Sequence, residues 1–355
     1  MTDNEYIFSN AGLIKSVERT DEHPYGVKEV EHLDTDKPML VLFGGEYTIG
    51  HHAANHYIKQ IKSVFEPYEV GDINIYSVYY EFGSRHADIE RIDLFRTAGR
   101  RVEQKHLHPN AIKMRQEKLK IMKQNEPHPE YIAKLYRAII KPLITNPDGT
   151  LLDTQTIAQN FSKLRLYGYS HGAAAIYMLG QHTKKELQKL GFASAEITKL
   201  MQSVIAIQFG PVAPLEHPEF KTLSFMSGGD TRVDGFNKFS EYMYENAENL
   251  YPSYFHILGA DMFVVGKISE RFDGEHNDEG MTSEKSLTED GKLLFNALRN
   301  AIYNATHSNN TDVAKLVAGP GVNFQEMKYN GDVFYDRMLN RLRGQKQIPT
   351  PDYQK

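Results

Sequence analysis

The chain has 355 residues, of which 40% are hydrophobic and 25% are charged, and its formal net charge is −5. These values are ordinary for a globular protein with a sizeable core, and the weakly acidic balance argues against a nucleic-acid-binding protein. The chain has no cysteine, which excludes disulfides, a thiolate nucleophile, zinc–thiolate sites and iron–sulfur clusters.

The elements predicted in chain order alternate between strands and helices. Short β segments are expected within the first 36 residues, including an alternating strand over 27–33. The continuous apolar run 39–43 predicts a strand buried on both faces, and a helix over 51–65 and a strand over 73–82 follow. A long charged segment, 85–145, predicts a helical insertion that could form a wall or lid over a site.

Alternation resumes after a turn signal at 146–149. Strands are predicted at 164–168, 204–209, 223–226 and 254–265, and helices at 154–163, 172–190, 194–201, 235–249, 287–306 and 333–343. The pattern indicates an α/β fold with a mainly parallel central sheet flanked by helices. We assign residues 1–318 to this domain and 319–355 to a C-terminal extension.

The most informative residues are Gly168-Tyr169-Ser170-His171-Gly172, a G-x-S-x-G motif between a predicted strand and a predicted helix. A sharp strand-to-helix turn places such a serine in a strained backbone conformation, and the flanking glycines remove side chains that would clash there. This context predicts Ser170 as a nucleophile. The alternative is an ordinary serine in a glycine-rich turn.

The motif resembles the nucleophile elbow of the α/β-hydrolase superfamily, and the order of elements from about residue 39 to 306 resembles that fold. The residues from Gly168 to Ala174, preceded by a helical insertion, are similar to lipase-like and phospholipase-like members. The resemblance implies a serine hydrolase that cleaves a carboxylic ester, with a lipid ester as the first choice, through an acyl-enzyme intermediate and without a cofactor.

The resemblance also implies that the acid of a catalytic triad follows the serine along the chain, and that the histidine comes last. Asp230 is the candidate acid, because it follows a predicted strand and a glycine turn as the family's acid loop does. Asp234 is the second choice and Asp261 the third. A turn residue or helix N-cap is the structural alternative for Asp230.

His276 is the candidate base, because it lies in a polar loop before the helix predicted at 287–306. The rival is His256, which lies in an apolar run and is better explained as a core or strand residue. The acidic neighbours Glu275, Asp278 and Glu279 favour the charged imidazolium unless they point into solvent. A plain surface histidine is the alternative for His276.

An acyl-transfer site also needs hydrogen-bond donors for the developing oxyanion. The backbone amide of His171 is one candidate, and the amide of Gly45 or Glu46, in the glycine-rich loop after strand 39–43, is the second. A tight strand-to-helix turn is the alternative for that loop. No metal site is predicted, because His52 and His56 share a helix face but no third ligand can be named.

Two further readings remain open. One is a catalytically silent hydrolase-fold protein that binds a partner through its helical insertion, and the other is an acyltransferase or thioesterase with the same triad. Residues 1–5 are acidic and lack the apolar region of a signal peptide, and no run approaches about 18 apolar residues. We therefore expect a cytoplasmic protein without a transmembrane segment, leaving signal-independent export and peripheral membrane contact open. No feature indicates an oligomeric state.

Overall fold

A computed structural model describes residues 12–45, 48, 50–65, 72–79, 129–213, 217–230, 243, 246–257, 259–269 and 287–342. Within these residues the strands are β1 (Gly12–Ser16), β2 (Val27–Val30), β3 (Met39–Phe43), β4 (Asn74–Tyr79), β5 (Leu164–Tyr169), β6 (Ile205–Phe209), β7 (Lys221–Ser227), β8 (Ser253–Ile257) and β9 (Ala260–Val265). The helices are α1 (Gly50–Phe65), α2 (Pro129–Leu135), α3 (Lys141–Ile144), α4 (Thr154–Lys163), α5 (His171–Lys189), α6 (Ser194–Ser203), α7 (Glu289–His307), α8 (Val313–Val317) and α9 (Phe324–Leu342). A π-helical turn, Tyr136–Ile140, joins α2 to α3.

The strands described form one sheet in the order β2-β1-β4-β3-β5-β6-β7-β9-β8. Strands β3, β4, β5, β6, β7 and β9 are parallel to one another. The two ends of the sheet are antiparallel, with β1 and β2 beyond β4 and β8 beyond β9. The predicted α/β class, with a mainly parallel sheet between helices, is confirmed.

Helices cover both faces of the sheet because the central strands are apolar on both sides. All five residues of β3 are buried, as a strand in the middle of a parallel sheet requires. One apolar core lies under α4, α5 and α6, and the other lies under α1 and α7. The sheet is therefore held between two helical layers, with its strand ends left to the connecting loops.

The predicted helix 154–163 is confirmed as α4, which begins at the N-cap Asp153. The carboxylate of Asp153 accepts a hydrogen bond from the Thr156 amide at 2.9 Å. Helix α7 begins in the same way at Thr288, whose hydroxyl accepts from the Gly291 amide at 2.9 Å. Both side chains satisfy amide groups that a helix leaves without an acceptor in its first turn.

The prediction of a single strand over 254–265 is wrong, because the chain folds back on itself there and forms the hairpin β8–β9. Gly259 has a φ of 82° in the turn between the two strands. Glycine reaches this left-handed conformation without the steric cost that a β-carbon brings. The apolar run concealed the turn, since both strands of the hairpin are rich in hydrophobic residues.

The end of the predicted insertion belongs to the core. Residues 85–128 lie outside the described part of the chain, but 129–144 form α2, the π-helical turn and α3. Ile139, Ile140 and Leu143 are fully buried in the core under α5. These helices therefore support one face of the sheet.

Helix α9 lies in the predicted C-terminal extension, 319–355, and packs against β8. A β-carbon at Gly331 would overlap the carbonyl oxygen of Tyr254, so the helix and the strand are in backbone contact. Phe334 and Met338 are buried in a third apolar cluster with Met262. The described part of this segment is thus built into the domain. No helix in the described ranges is both long and apolar enough to cross a membrane.

A buried carboxylate near the amino end of β9 organises the β8–β9 hairpin. Asp261 is 3% exposed, accepts a hydrogen bond from Tyr254 Oη at 2.8 Å and pairs with Lys221 Nζ at 3.2 Å. Its Oδ1 lies 2.8 Å from Nδ1 of His256. Burial, together with the charge of Asp261, raises the pKa of Tyr254.

Replacing Asp261 with asparagine is expected to lower the free energy of unfolding by about 2 kcal/mol, because Lys221 then faces a buried neutral amide. Urea denaturation of Asp261→Asn, Lys221→Met and the double variant measures the coupling between the two side chains. A coupling energy near zero would show that the ion pair does not contribute to stability.

Candidate active site

Ser170 connects β5 directly to α5 in a strained conformation. It has φ 53° and ψ −120°, the dihedral angles of the first central residue of a type II′ turn, where glycine is favoured. Its amide donates to the Phe209 carbonyl at 3.0 Å, and its carbonyl accepts from the amides of Ala173 and Val212 at 3.1 Å. These three hydrogen bonds hold the turn in place against its strain.

The two glycines of the motif are required by close packing around this turn. A β-carbon at Gly172 would overlap the carbonyl oxygen of Phe43 and lie 2.8 Å from that of Gly44. A β-carbon at Gly168 would lie 2.8 Å from Cδ1 of Ile176 and 3.0 Å from the Ala173 amide nitrogen. The start of α5 therefore presses against the end of β3, which places the loop after β3 beside the serine.

The structure brings Ser170, His171, Gly45 and Asp230 to one edge of the sheet. Strands β3, β5, β6 and β7 are parallel neighbours, so the residues that follow them all lie at the carboxyl edge. A β-carbon at Gly45 would lie 3.3 Å from Cβ of Ser170. Crevices at this edge are the usual ligand-binding position in open α/β sheets.

Asp230 follows β7 in a tight turn and is 2% exposed. Its amide donates to the Ser227 carbonyl at 3.2 Å, and the Gly229 amide donates to Ser227 Oγ at 3.0 Å. Strand β7 is two positions from β5, which corresponds to about 10 Å across the sheet. In a catalytic triad, the imidazole of the histidine lies between the acid and the serine.

The predicted base, His276, and the second-choice acid, Asp234, lie outside the described residues. The chain leaves the described part at Ser269 and returns at Leu287, and these two residues form an antiparallel bridge. Ser269 follows β9, which is parallel to β7. Both ends of the segment that contains His276 are therefore anchored at the carboxyl edge, on the Asp230 side of Ser170.

Asp261 and His256, the alternative acid and base, lie far from Ser170. Through the pairing of β9 with β7, β6 and β5, Asp261 is in register with Tyr167, three residues before the serine. It is separated from Ser170 by roughly 10 Å along the strands and roughly 14 Å across them. The Asp261–His256 contact thus belongs to the hairpin, and Asp261 does not fit the role of third-choice acid. His256 lies in β8, as predicted for a strand residue, but its side chain is 62% exposed and outside the core.

The candidate oxyanion segment is held by two side chains that the sequence did not indicate. The Gly45 amide donates to Tyr57 Oη at 3.1 Å, and the Gly45 carbonyl accepts from Thr48 Oγ1 at 2.8 Å. The Gly45 amide would have to leave Tyr57 before it could donate to a substrate, and Glu46 lies outside the described residues. His171 is the first residue of α5, where amide groups point outward and the helix dipole favours negative charge.

A polar cluster lies at the carboxyl edge of the sheet, where β4 ends and α1 begins. Tyr79 donates a hydrogen bond to Glu29, and His51 Nε2 lies 3.6 Å from the other oxygen of that carboxylate. Burial and the hydrogen bond to Glu29 raise the pKa of Tyr79. His52 and His56 are exposed on α1. Across the described ranges, no group of three or more potential metal-ligating side chains comes together.

A scan against models of known protein families and a search of curated proteins found no match. The functional assignment therefore depends on the residues of this chain and their geometry.

Proposed function

We propose that this chain is a serine hydrolase with an α/β-hydrolase fold, and that Ser170 is its nucleophile. The observation that carries the proposal is the backbone of Ser170, with φ 53° between a buried parallel strand and a helix N-terminus. A non-glycine residue is costly in this conformation, and such strain clusters at functional sites. The turn also presents the serine beside the glycine segment after β3.

The proposed reaction has two steps with an acyl-enzyme between them. His276 removes the proton of the Ser170 hydroxyl while Oγ bonds to the carbonyl carbon of the ester, and Asp230 orients the imidazole. The tetrahedral intermediate collapses, the ester C–O bond breaks, and His276 returns the proton to the leaving alcohol. His276 then removes a proton from a water molecule, which attacks the acyl carbon. The acyl–Oγ bond breaks, the carboxylic acid is released, and the Ser170 hydroxyl regains its proton from His276.

The proposed substrates are carboxylic esters, with lipid esters as the first class to examine. The residues of the elbow resemble lipase-like members, and the half-buried rings of Tyr57 and Tyr169, 6.3 Å apart, offer apolar surface beside Gly45. An acyl chain packed on these rings would be removed from water. A series of p-nitrophenyl esters from acetate to palmitate measures this preference as kcat/KM against chain length.

Covalent labelling with a fluorophosphonate probe tests the proposed nucleophile directly. The wild-type protein is expected to label, whereas Ser170→Ala is expected not to label, because an activated serine displaces fluoride from the probe and becomes phosphonylated. Ser162→Ala, in the last turn of α4, is the matched control and should label like the wild type. Absence of labelling in well-folded wild-type protein would contradict the proposal and favour the catalytically silent, partner-binding alternative.

A further inference from the structure

The backbone of Gly45 is held at both its N–H and its carbonyl group beside Ser170. Tyr57, on α1, accepts the Gly45 N–H at 3.1 Å, while Thr48 donates its hydroxyl to the Gly45 carbonyl at 2.8 Å. Thr48 is 1% exposed, and its backbone amide also donates to the same carbonyl at 3.3 Å. Both polar groups of one glycine are thus bound by side chains from the following turn and helix.

The ring of Tyr57 is packed against the same segment. A β-carbon at Gly44 would overlap the Tyr57 ring and lie 2.8 Å from its Cζ atom. The other side of Gly45 faces β5, where an added β-carbon would lie 3.0 Å from Cδ1 of Tyr169 and 3.3 Å from Cβ of Ser170. The Gly44–Gly45 segment therefore lies between Tyr57 and the turn at Ser170, in close contact with both.

We propose that Tyr57 is a positioning residue of the hydrolase, and that its hydroxyl fixes the orientation of the Gly45 peptide beside Ser170. This inference rests on the proposed function. Because the Gly45 N–H is bound to Tyr57, the Glu46 amide is the remaining candidate for the second oxyanion donor, and the hydrogen bond to Tyr57 holds the backbone from which that residue extends. Oxyanion donors must be oriented before the reaction, so groups that hold their backbone affect the rate. Tyr57 lies on helix α1 and accepts the Gly45 N–H, so it fixes the plane of the Gly44–Gly45 peptide and thereby the direction of the loop after β3.

The substitution Tyr57→Phe removes the hydroxyl and keeps the ring that packs against Gly44. We expect kcat to fall about tenfold, less than the roughly 100-fold that a misplacement of about 1 Å can cost, because Thr48 still holds the Gly45 carbonyl. KM should stay within about twofold. The rate of fluorophosphonate labelling should fall in the same proportion. Tyr25→Phe, on an exposed ring, is the matched control and should leave both rates unchanged.

A second variant and a second measurement separate positioning from general stability. Thr48→Val removes the other side-chain hydrogen bond to Gly45, so it should give the same fall in kcat at constant KM. The double variant should lose less than the product of the two single losses, since both side chains bind backbone groups of the same residue. Hydrogen exchange of peptides covering residues 43–48 should be faster in Tyr57→Phe than in the wild type.

Three results would overturn the inference. An increase of kcat in Tyr57→Phe would show that Tyr57 competes with the substrate for the Gly45 amide. Unchanged kcat would show that the hydroxyl has no part in the reaction, and a fall in thermal midpoint alone would show a purely structural role. Failure of the proposed function is recognisable separately, because the wild-type protein would then not label before any variant is examined.

Discussion

Ser170→Ala is expected to lower the turnover of any ester substrate by about 10⁴-fold or more, because removing the nucleophile of a triad leaves only binding and oxyanion stabilisation. Substrate affinity should change little, since Oγ contributes mainly to the transition state. The measurement is kcat and KM for the best p-nitrophenyl ester, with Ser162→Ala as the control. Turnover retained in Ser170→Ala would exclude Ser170 as the nucleophile.

Ser170→Gly should separate function from stability at the same position. The φ of 53° costs a serine on the order of 1–3 kcal/mol, while the added freedom of glycine in the unfolded chain costs about 0.5–1 kcal/mol. The glycine variant is therefore expected to be inactive and about 1 kcal/mol more stable in urea denaturation. A loss of stability in Ser170→Gly would show that the turn is not strained.

Gly172→Ala is expected to lower the free energy of unfolding by about 3 kcal/mol, the upper range for overpacking. The new methyl group would overlap the Phe43 carbonyl oxygen and lie 2.7 Å from its carbonyl carbon, and backbone atoms cannot rotate away as a side chain can. The helix would have to move from the end of β3, so the Gly44–Gly45 segment would also shift. Thermal and urea denaturation measure the loss.

Gly180→Ala is the matched control on the same helix. A β-carbon there would lie 3.2 Å from Cβ of Glu219 and 3.3 Å from the Phe220 ring, so these neighbours would have to shift by only a few tenths of an ångström. Alanine also has a higher helix propensity than glycine by about 1 kcal/mol. The control is expected to be neutral or slightly stabilising, and equal losses in both variants would contradict a specific contact at Gly172.

Local patterns were sufficient to predict most elements of the central sheet. Met39–Phe43 is apolar at every position because it lies in the middle of the sheet, and α4 begins where Asp153 can cap it. The hairpin β8–β9 was missed, since a continuous apolar run resembles one long strand and a single glycine marks the turn. The helices 129–144 were assigned to an insertion, because their charged surface concealed the buried side.

The sequence by itself determined the strand-to-helix turn at Ser170, because the geometry of that turn depends on residues adjacent in the chain. One residue separates Gly168 from Ser170 and one separates Ser170 from Gly172, and the steric demands of a strand-to-helix turn act over that distance. Asp230 was also predictable, since an aspartate after a buried strand and a glycine turn must lie at the carboxyl edge of a parallel sheet.

Only the tertiary structure decided which distant residues share that edge. Asp261 and His256 were separated from Ser170 by the register of β9 against β7, which no local pattern specifies. Tyr57 reaches Gly45 because α1 packs back across the sheet and directs one side chain to the loop that precedes it. Contacts of this kind depend on the relative position of two elements, which is set by the packing of the whole core.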